Sequence, residues 1–188
     1  MLEKFPLLPQ VRVQRHGIDT AALDAPAPSP YDKSWEANCV FVGANRLDRD
    51  AVARAAGLFP RWAMHIIGPF ADVPRGQNIF TYGEMKFEQT MPYIKNAQIG
   101  LHTLEYEPGA QCFTDSLKVM QYTWCHLPIV APEFLRSRRK HTFYYQPGDD
   151  ESIRRAFLDA SACDRSKIDR DEVTSWDALA RKLAGEEA

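Results

Sequence analysis

An α/β fold built on a parallel sheet with helices on both faces is predicted by three observations. Continuous apolar runs end in glycine, helical apolar spacing separates them, and the two alternate along most of the chain. The first run, residues 39–43 (CVFVG), is apolar throughout and closes on glycine, as a strand buried on both faces does. Residues 50–58 read as a helix, 62–67 as a second strand closed by Gly68, and 79–82 as a third. A helix over 87–97 and a strand over 99–103 follow. The next helix opens near Ser116 and carries Leu117, Met120, Gln121, Trp124 and Cys125 at helical spacing, and Pro128 separates it from a strand at 129–131. Residues 142–145 give the last strand and 149–160 a further helix. The tail at 174–183 places Trp176, Leu179 and Leu183 on one helical face behind capping residues. This is a Rossmann-like arrangement over residues 38–188. Residues 1–37 read as a connecting segment, with a short strand and turn at 11–20 and a stiff extended linker, APAPSP, at 25–30.

At 188 residues, 45% hydrophobic and 26% charged, the chain has the size and composition of one soluble globular domain. A net charge of -2 gives no general attraction to nucleic acid or to an anionic membrane. Cys39, Cys112, Cys125 and Cys163 form no C-x-x-C pair, and read as reduced, mostly buried thiols of a cytosolic protein rather than disulfides or zinc ligands. No run approaches the ~20 apolar residues of a membrane span, and residues 1–9, with two prolines and two charges, do not read as an export signal.

In such a sheet a ligand belongs at the carboxyl ends of the strands. The loop at Gly43-Ala-Asn45-Arg46 is small enough for close backbone approach, or for a simple tight turn. It is not GxGxxG, which disfavours a dinucleotide. The helix start groups Ser116, Lys118 and Gln121 beside unpaired N–H groups, an end suited to an anion. The loop at 104–113, polar with Pro and Gly, is where a sugar would be read. Asp48-Arg49-Asp50 is a D-x-D at a helix start, where capping is the better reading than metal binding. His65 and His102 lie in apolar strands and read as hydrogen-bonded core residues. The basic run Arg136-Ser-Arg-Arg-Lys140 reads as a solvated loop, with a membrane surface as the alternative.

KVMQY at 118–122 followed by HLPIV at 126–130 is similar to the Lys-x-x-Glu-Tyr and Gly-x-Pro-Val-Val signature of the nucleotide-sugar-binding half of GT-B glycosyltransferases. Gln121 stands where many of them have Glu, and His126 where most have Gly. Ser116-Leu-Lys118, Gln121-Tyr122 and Gly83-Glu-Met-Lys86 resemble in particular the membrane-associated glucuronosyltransferases of xanthan assembly. The resemblance spans roughly residues 14–150.

It implies the C-terminal half of a GT-B fold that takes a UDP-sugar as donor substrate and needs neither cofactor nor metal. Gly43 and Asn45 would lie by the diphosphate, and Glu84 and Met85 against the base or ribose, although Glu84 could equally cap the next helix. Tyr106 would meet the sugar, in place of an aromatic that the family carries near the position of Leu104. Lys118 and the N–H groups of Ser116 and Leu117 would hold the diphosphate, and Gln121 a ribose hydroxyl. The implied reaction is inverting transfer of glucuronic acid from UDP-glucuronic acid to a lipid-linked saccharide in exopolysaccharide synthesis. It would occur in the cytoplasm, with peripheral contact at the inner membrane.

The catalytic base would be an aspartate of an N-terminal acceptor domain. His16-Gly-Ile-Asp19 is similar to the passage between the two GT-B domains, so the chain is expected to begin near that boundary, as a fragment or the product of a shortened gene, and to be inactive alone. The last helix resembles the one that GT-B enzymes fold back toward the other domain; packing on its own domain is the alternative. Two further classes remain. A non-catalytic nucleotide-binding or interaction module is favoured by the missing half, Gln121 and His126. A receiver module would need acidic residues after its first and third strands, which Gly43-Ala-Asn45 and Tyr82-Gly-Glu84 do not supply.

Overall fold

In the computed structural model, which describes residues 14–171 and 173–186, a short helix α1 (Thr20–Asp24) precedes the alternating body. The body runs β1 (Ala37–Val42), α2 (Arg49–Leu58), β2 (Trp62–Ile67), β3 (Ile79–Thr81), α3 (Phe87–Asn96), β4 (Ile99–Leu101) and α4 (Leu117–Trp124). It continues through β5 (Ile129–Pro132), β6 (Thr142–Tyr145), α5 (Asp150–Ser161) and α6 (Trp176–Ala184). The strands form one sheet in the order β3-β2-β1-β4-β5-β6, and every neighbouring pair is parallel. The winding reverses between β1 and β4. The loops after these two strands therefore diverge and leave a crevice at the carboxyl edge of the sheet.

Alternation along the strands divides the core into two layers. Cys39 and Phe41 of β1 face a layer filled by Ala51, Val52, Ala55 and Ala56 of α2 with Ile153, Ala156 and Phe157 of α5. Val40 faces the other, filled by Met91 and Ile94 of α3, Val119, Met120 and Tyr122 of α4, and Ile18 and Leu23 of the leading segment.

Helix α4 is seated more deeply than its predicted stripe. Val119 through Thr123 are all buried while Leu117 is exposed. Tyr122 explains the seating. Its hydroxyl donates to Val40 O at 3.1 Å and accepts from Val42 N at 3.1 Å, joining α4 to the end of β1. Its ring fills the space that a side chain at residue 100 would need, since a Cβ on Gly100 would lie 2.5 Å from Tyr122 Cδ2.

The far end of α4 explains His126. That residue takes a φ of 53°, the left-handed conformation that glycine adopts at no steric cost. Its Nδ1 lies 3.0 Å from Ile168 O, which compensates. Arg165 closes the same end, donating to Cys125 O, His126 O and Ala97 O at 3.2, 2.8 and 3.1 Å, so one cation caps the carbonyl ends of α3 and α4.

Three expectations change at the chain's periphery. The strand expected over 11–20 lies partly outside the described residues. Within them, only Ile18 pairs, in a single parallel bridge with Ser175, and Asp19 then caps α1 by accepting from Ala22 N at 2.9 Å. The 25–30 linker is extended but is no free spacer: the Lys95 ammonium donates to Ala25 O, and Asn96 Nδ2 donates to Ala27 O at 3.4 Å, strapping it across the end of α3. On α6 only Leu179 of the predicted apolar face is buried. Trp176 is 50% and Leu183 69% exposed, so most of that face is uncovered. Cys39 is buried, Cys125 and Cys163 are partly so, and Cys112 is exposed; all four are free thiols. Among the described residues no helix is long and apolar enough to cross a membrane.

Candidate functional site

A cavity of about 690 Å³ opens where β1 and β4 end, within the range of ~300–1,000 Å³ usual for small-molecule sites. Its walls are the loop after β1 (Gly43, Asn45, Arg46), the approach to α3 (Met85, Phe87), His102 and Leu104 beyond β4, and the start of α4 (Ser116, Leu117, Lys118, Gln121) with Phe113 before it.

The wall formed by α4 is cationic by construction. Ser116 stands at the N-cap with extended backbone (φ −66°, ψ 160°), yet its hydroxyl makes no capping bond and is buried without a partner. The first-turn N–H groups are thus left to the cavity, at the positive end of the helix dipole. Lys118 Nζ lies 3.9 Å from the centre of the Phe41 ring. Gly43 makes room for it, since a Cβ there would stand 3.1 Å from that nitrogen. Burial pulls the Lys118 ammonium down from 10.5 to about 7, and no carboxylate pairs with it among the described residues. A half-buried lysine without such a partner, at the mouth of the cavity, is in place to neutralise an anion.

His102 is 2% exposed. Its Nε2 lies 3.0 Å from Phe113 O, an acceptor, so Nε2 carries the proton and Nδ1 holds a free lone pair. Nδ1 is buried and unpartnered. Burial, with the Lys118 charge nearby, holds the imidazole well below its ordinary range and therefore neutral. His65 differs, with Nδ1 2.8 Å from Tyr82 Oη and Nε2 3.0 Å from Asn38 Oδ1. The sequence reading of a hydrogen-bonded core residue describes His65 in full and only half of His102.

Arg46 adopts a φ of 58°, unusual for a side-chain-bearing residue. Its guanidinium carbon sits 4.5 Å from the centre of the Phe113 ring, its Nη2 is ion-paired with Glu107, and its Nη1 is buried without a partner. Across the site, Asp115 anchors the approach to α4 between Arg139 Nη2 at 2.8 Å and Arg15 Nη2 at 3.1 Å. The reading of 136–140 as a solvated loop holds for Arg136, Arg138 and Lys140, which are exposed, and fails for Arg139, whose side chain is 1% exposed.

Of the residues singled out in the sequence, Gly43, Asn45, Met85, Ser116, Leu117, Lys118 and Gln121 line this one cavity. Gln121 is 4% exposed. Glu84 and Tyr106 do not line it. Glu84 is exposed, and it is not the cap of α3 either: Lys86 holds that position, with its N–H donating to Gln89 Oε1 at 3.0 Å. Tyr106 is 64% exposed and meets Phe134 edge-on, because the Pro108-Gly109 turn (Gly109 φ 87°) reverses the loop and brings Phe113 to the cavity instead. Arg46, His102 and Phe113 are the residues that sequence reasoning missed. Signals existed for two of them: Arg46 ends the loop already singled out, and His102 directly follows β4 at the sheet's carboxyl edge. Asp48 caps α2, accepting from Ala51 N at 2.9 Å and from Tyr145 Oη at 3.2 Å, as the capping reading of the D-x-D expected.

No family model matches the chain. Over 150 residues it is 34% identical to the UDP-glucuronate:glycolipid 2-beta-glucuronosyltransferase of Xanthomonas campestris pv. campestris, an alignment that takes in 77% of this chain and 36% of that protein. The chain thus spans about a third of its relative's length. Among solved structures, sucrose-phosphate synthase from Thermosynechococcus elongatus superposes with a TM-score of 0.57 at 17% identity, over 90% of this chain and 48% of that one. Anabaena HepE, solved with UDP and glucose, gives 0.55 at 11% identity, over 81% and 48%. The chain has the fold of the C-terminal half of GT-B glycosyltransferases, and in sequence it is similar to part of a glucuronosyltransferase.

Proposed function

We propose that the chain is the donor-binding domain of an inverting glycosyltransferase, taking UDP-glucuronic acid and acting with an N-terminal acceptor domain on a lipid-linked saccharide in exopolysaccharide synthesis. One observation carries the reading. Three buried polar atoms without partners, Arg46 Nη1, His102 Nδ1 and Ser116 Oγ, belong to residues lining the same cavity as the unpaired Lys118 and the open end of α4. Buried polar groups are ordinarily satisfied, and three of the seven unsatisfied side-chain atoms among the described residues belong to the lining of this one cavity, which favours a polar ligand there. The name of the sequence relative and the UDP in the HepE structure agree with a nucleotide sugar.

In this reading the diphosphate lies on the first-turn N–H groups of α4 and on Lys118. The helix end and the ammonium together stabilise the negative charge that develops on the leaving group. Gly43 and Asn45 approach the diphosphate through their backbone, Met85 packs by the base or ribose, and Gln121 hydrogen-bonds a ribose hydroxyl. His102 Nδ1 accepts a hydrogen bond from an O–H or N–H of the donor substrate. The base that deprotonates the acceptor belongs to the acceptor domain.

Calorimetric titration of the chain with UDP tests the reading, with Lys118→Ala alongside. Binding by the wild type that weakens at least tenfold in the variant is expected. A folded wild type that fails to bind UDP contradicts it.

A further inference from the structure

We propose that Arg46 is the residue that reads the carboxylate of an acidic donor sugar, so that the cavity has two anion subsites, one built on Lys118 and one on Arg46. The assignment rests on the donor-site reading above and adds the residue that selects the sugar.

One subsite is the α4 end, where Lys118 lies close to Gly43. Arg46 stands three residues further along the same loop, and its position is heavily determined. Its carbonyl accepts from Glu105 N at 2.9 Å, Leu47 forms a bridge with Leu104, and Asp48 N donates to Thr103 O at 3.0 Å. These bonds hold Arg46 in its left-handed backbone conformation, which is strained for a residue with a side chain and persists only where the surroundings impose it. The side chain is equally constrained: the guanidinium carbon lies 4.5 Å from the centre of the Phe113 ring and Glu107 holds one arm. The other arm, Nη1, is buried with its donors unused.

A sugar hydroxyl could accept from that arm, but only as a neutral acceptor. A carboxylate makes the charge-assisted bond that a guanidinium fork favours, and the bond is stronger for being buried. Glu107 is 48% exposed, so water screens its repulsion of a second carboxylate. Phe113 completes the fit by offering an apolar face beside the charged arm, as a sugar ring with one ionised substituent requires. Lys118 cannot take this role while it serves the diphosphate. Among the residues lining the cavity, Arg46 is the other cation.

The test compares the affinities of UDP, UDP-glucose and UDP-glucuronic acid for the wild type, Arg46→Gln and Arg46→Lys, each checked for an unchanged circular dichroism spectrum. The wild type is expected to prefer UDP-glucuronic acid over UDP-glucose by about tenfold or more, the size of one charge-assisted bond. Arg46→Gln should bring the two to within about twofold by weakening UDP-glucuronic acid far more than UDP, and Arg46→Lys should keep only part of the preference, because an ammonium offers one point charge where the guanidinium offers a planar fork. A preference that survives in Arg46→Gln overturns the assignment, as does a loss that is equal for all three ligands, which would place Arg46 on the diphosphate. UDP binding without any uronate preference in the wild type overturns the assignment and leaves the donor site standing. No binding of UDP removes both.

Discussion

Replacing Lys118 by methionine separates a residue kept for a ligand from one kept for the fold. Burial lowers the Lys118 ammonium from 10.5 to about 7. Between those values the unfolded chain holds a proton that the folded chain has released, so the stability of the free protein should rise with pH from about 7 to about 10. Below pH 7 the whole cost of burying the charge is present. At ~1.4 kcal/mol per pH unit the full cost is about 5 kcal/mol. The side chain is only half-buried, however, and water returns roughly half of that. The Phe41 ring 3.9 Å away contributes about 1 kcal/mol in the opposite sense.

Lys118→Met should therefore be more stable than wild type by about 2 kcal/mol at pH 6, or about 4–8 °C in Tm for a chain of this size. The difference should shrink toward pH 10. Thermal denaturation at pH 6, 8 and 10, with and without UDP, measures it. UDP should raise the Tm of the wild type by binding the folded state and leave the variant nearly unmoved. A variant less stable than wild type at pH 6, or a difference that does not change with pH, would refute the reasoning and make Lys118 a structural cation.

Three further substitutions test the frame around the site. Gly100→Ala pushes a Cβ to within 2.5 Å of the Tyr122 ring and should cost about 1–3 kcal/mol in urea denaturation, by displacing α4 from the sheet. Asp115→Ala removes the carboxylate between Arg139 and Arg15 and leaves the Arg139 charge, at 1% side-chain exposure, without it. A loss of about 3 kcal/mol is expected, with weaker UDP binding in calorimetry because the approach to α4 is released. Arg165→Ala exposes three carbonyls at the far ends of α3 and α4, and should cost about 2 kcal/mol in the same denaturation assay without altering UDP affinity in the residual folded protein.

The fold was legible because buried strands and amphipathic helices leave periods that do not depend on distant contacts: β2 and β6 lie where the pattern put them, and the other strands within a few residues. The leading segment was less legible. Asp19 is a cap whose helix is only five residues long, too short to show a period. The site was legible where local sequence makes it. Ser116, Lys118 and Gln121 share one helix, and their relation follows from helical spacing alone. Arg46, His102 and Phe113 share the cavity only through tertiary folding, by the Leu47–Leu104 bridge and the turn at Pro108-Gly109. Tyr106 fell on the wrong side of that turn, since proximity in sequence does not show which aromatic a reversing loop brings back. The same limit applies to Tyr122, whose two bonds to β1 make it a structural part of the motif.

The central claim, a nucleotide diphosphate seated on the start of α4, is tested most directly by following the backbone amide resonances of the labelled chain during titration with UDP. Shifts should concentrate at Gly43, Asn45 and Arg46 and at Leu117, Lys118 and Val119, the residues of the β1 loop and of the first turn of α4. Binding that leaves those amides unmoved and shifts residues elsewhere, such as the basic cleft around Arg138 and Lys140, would contradict the account.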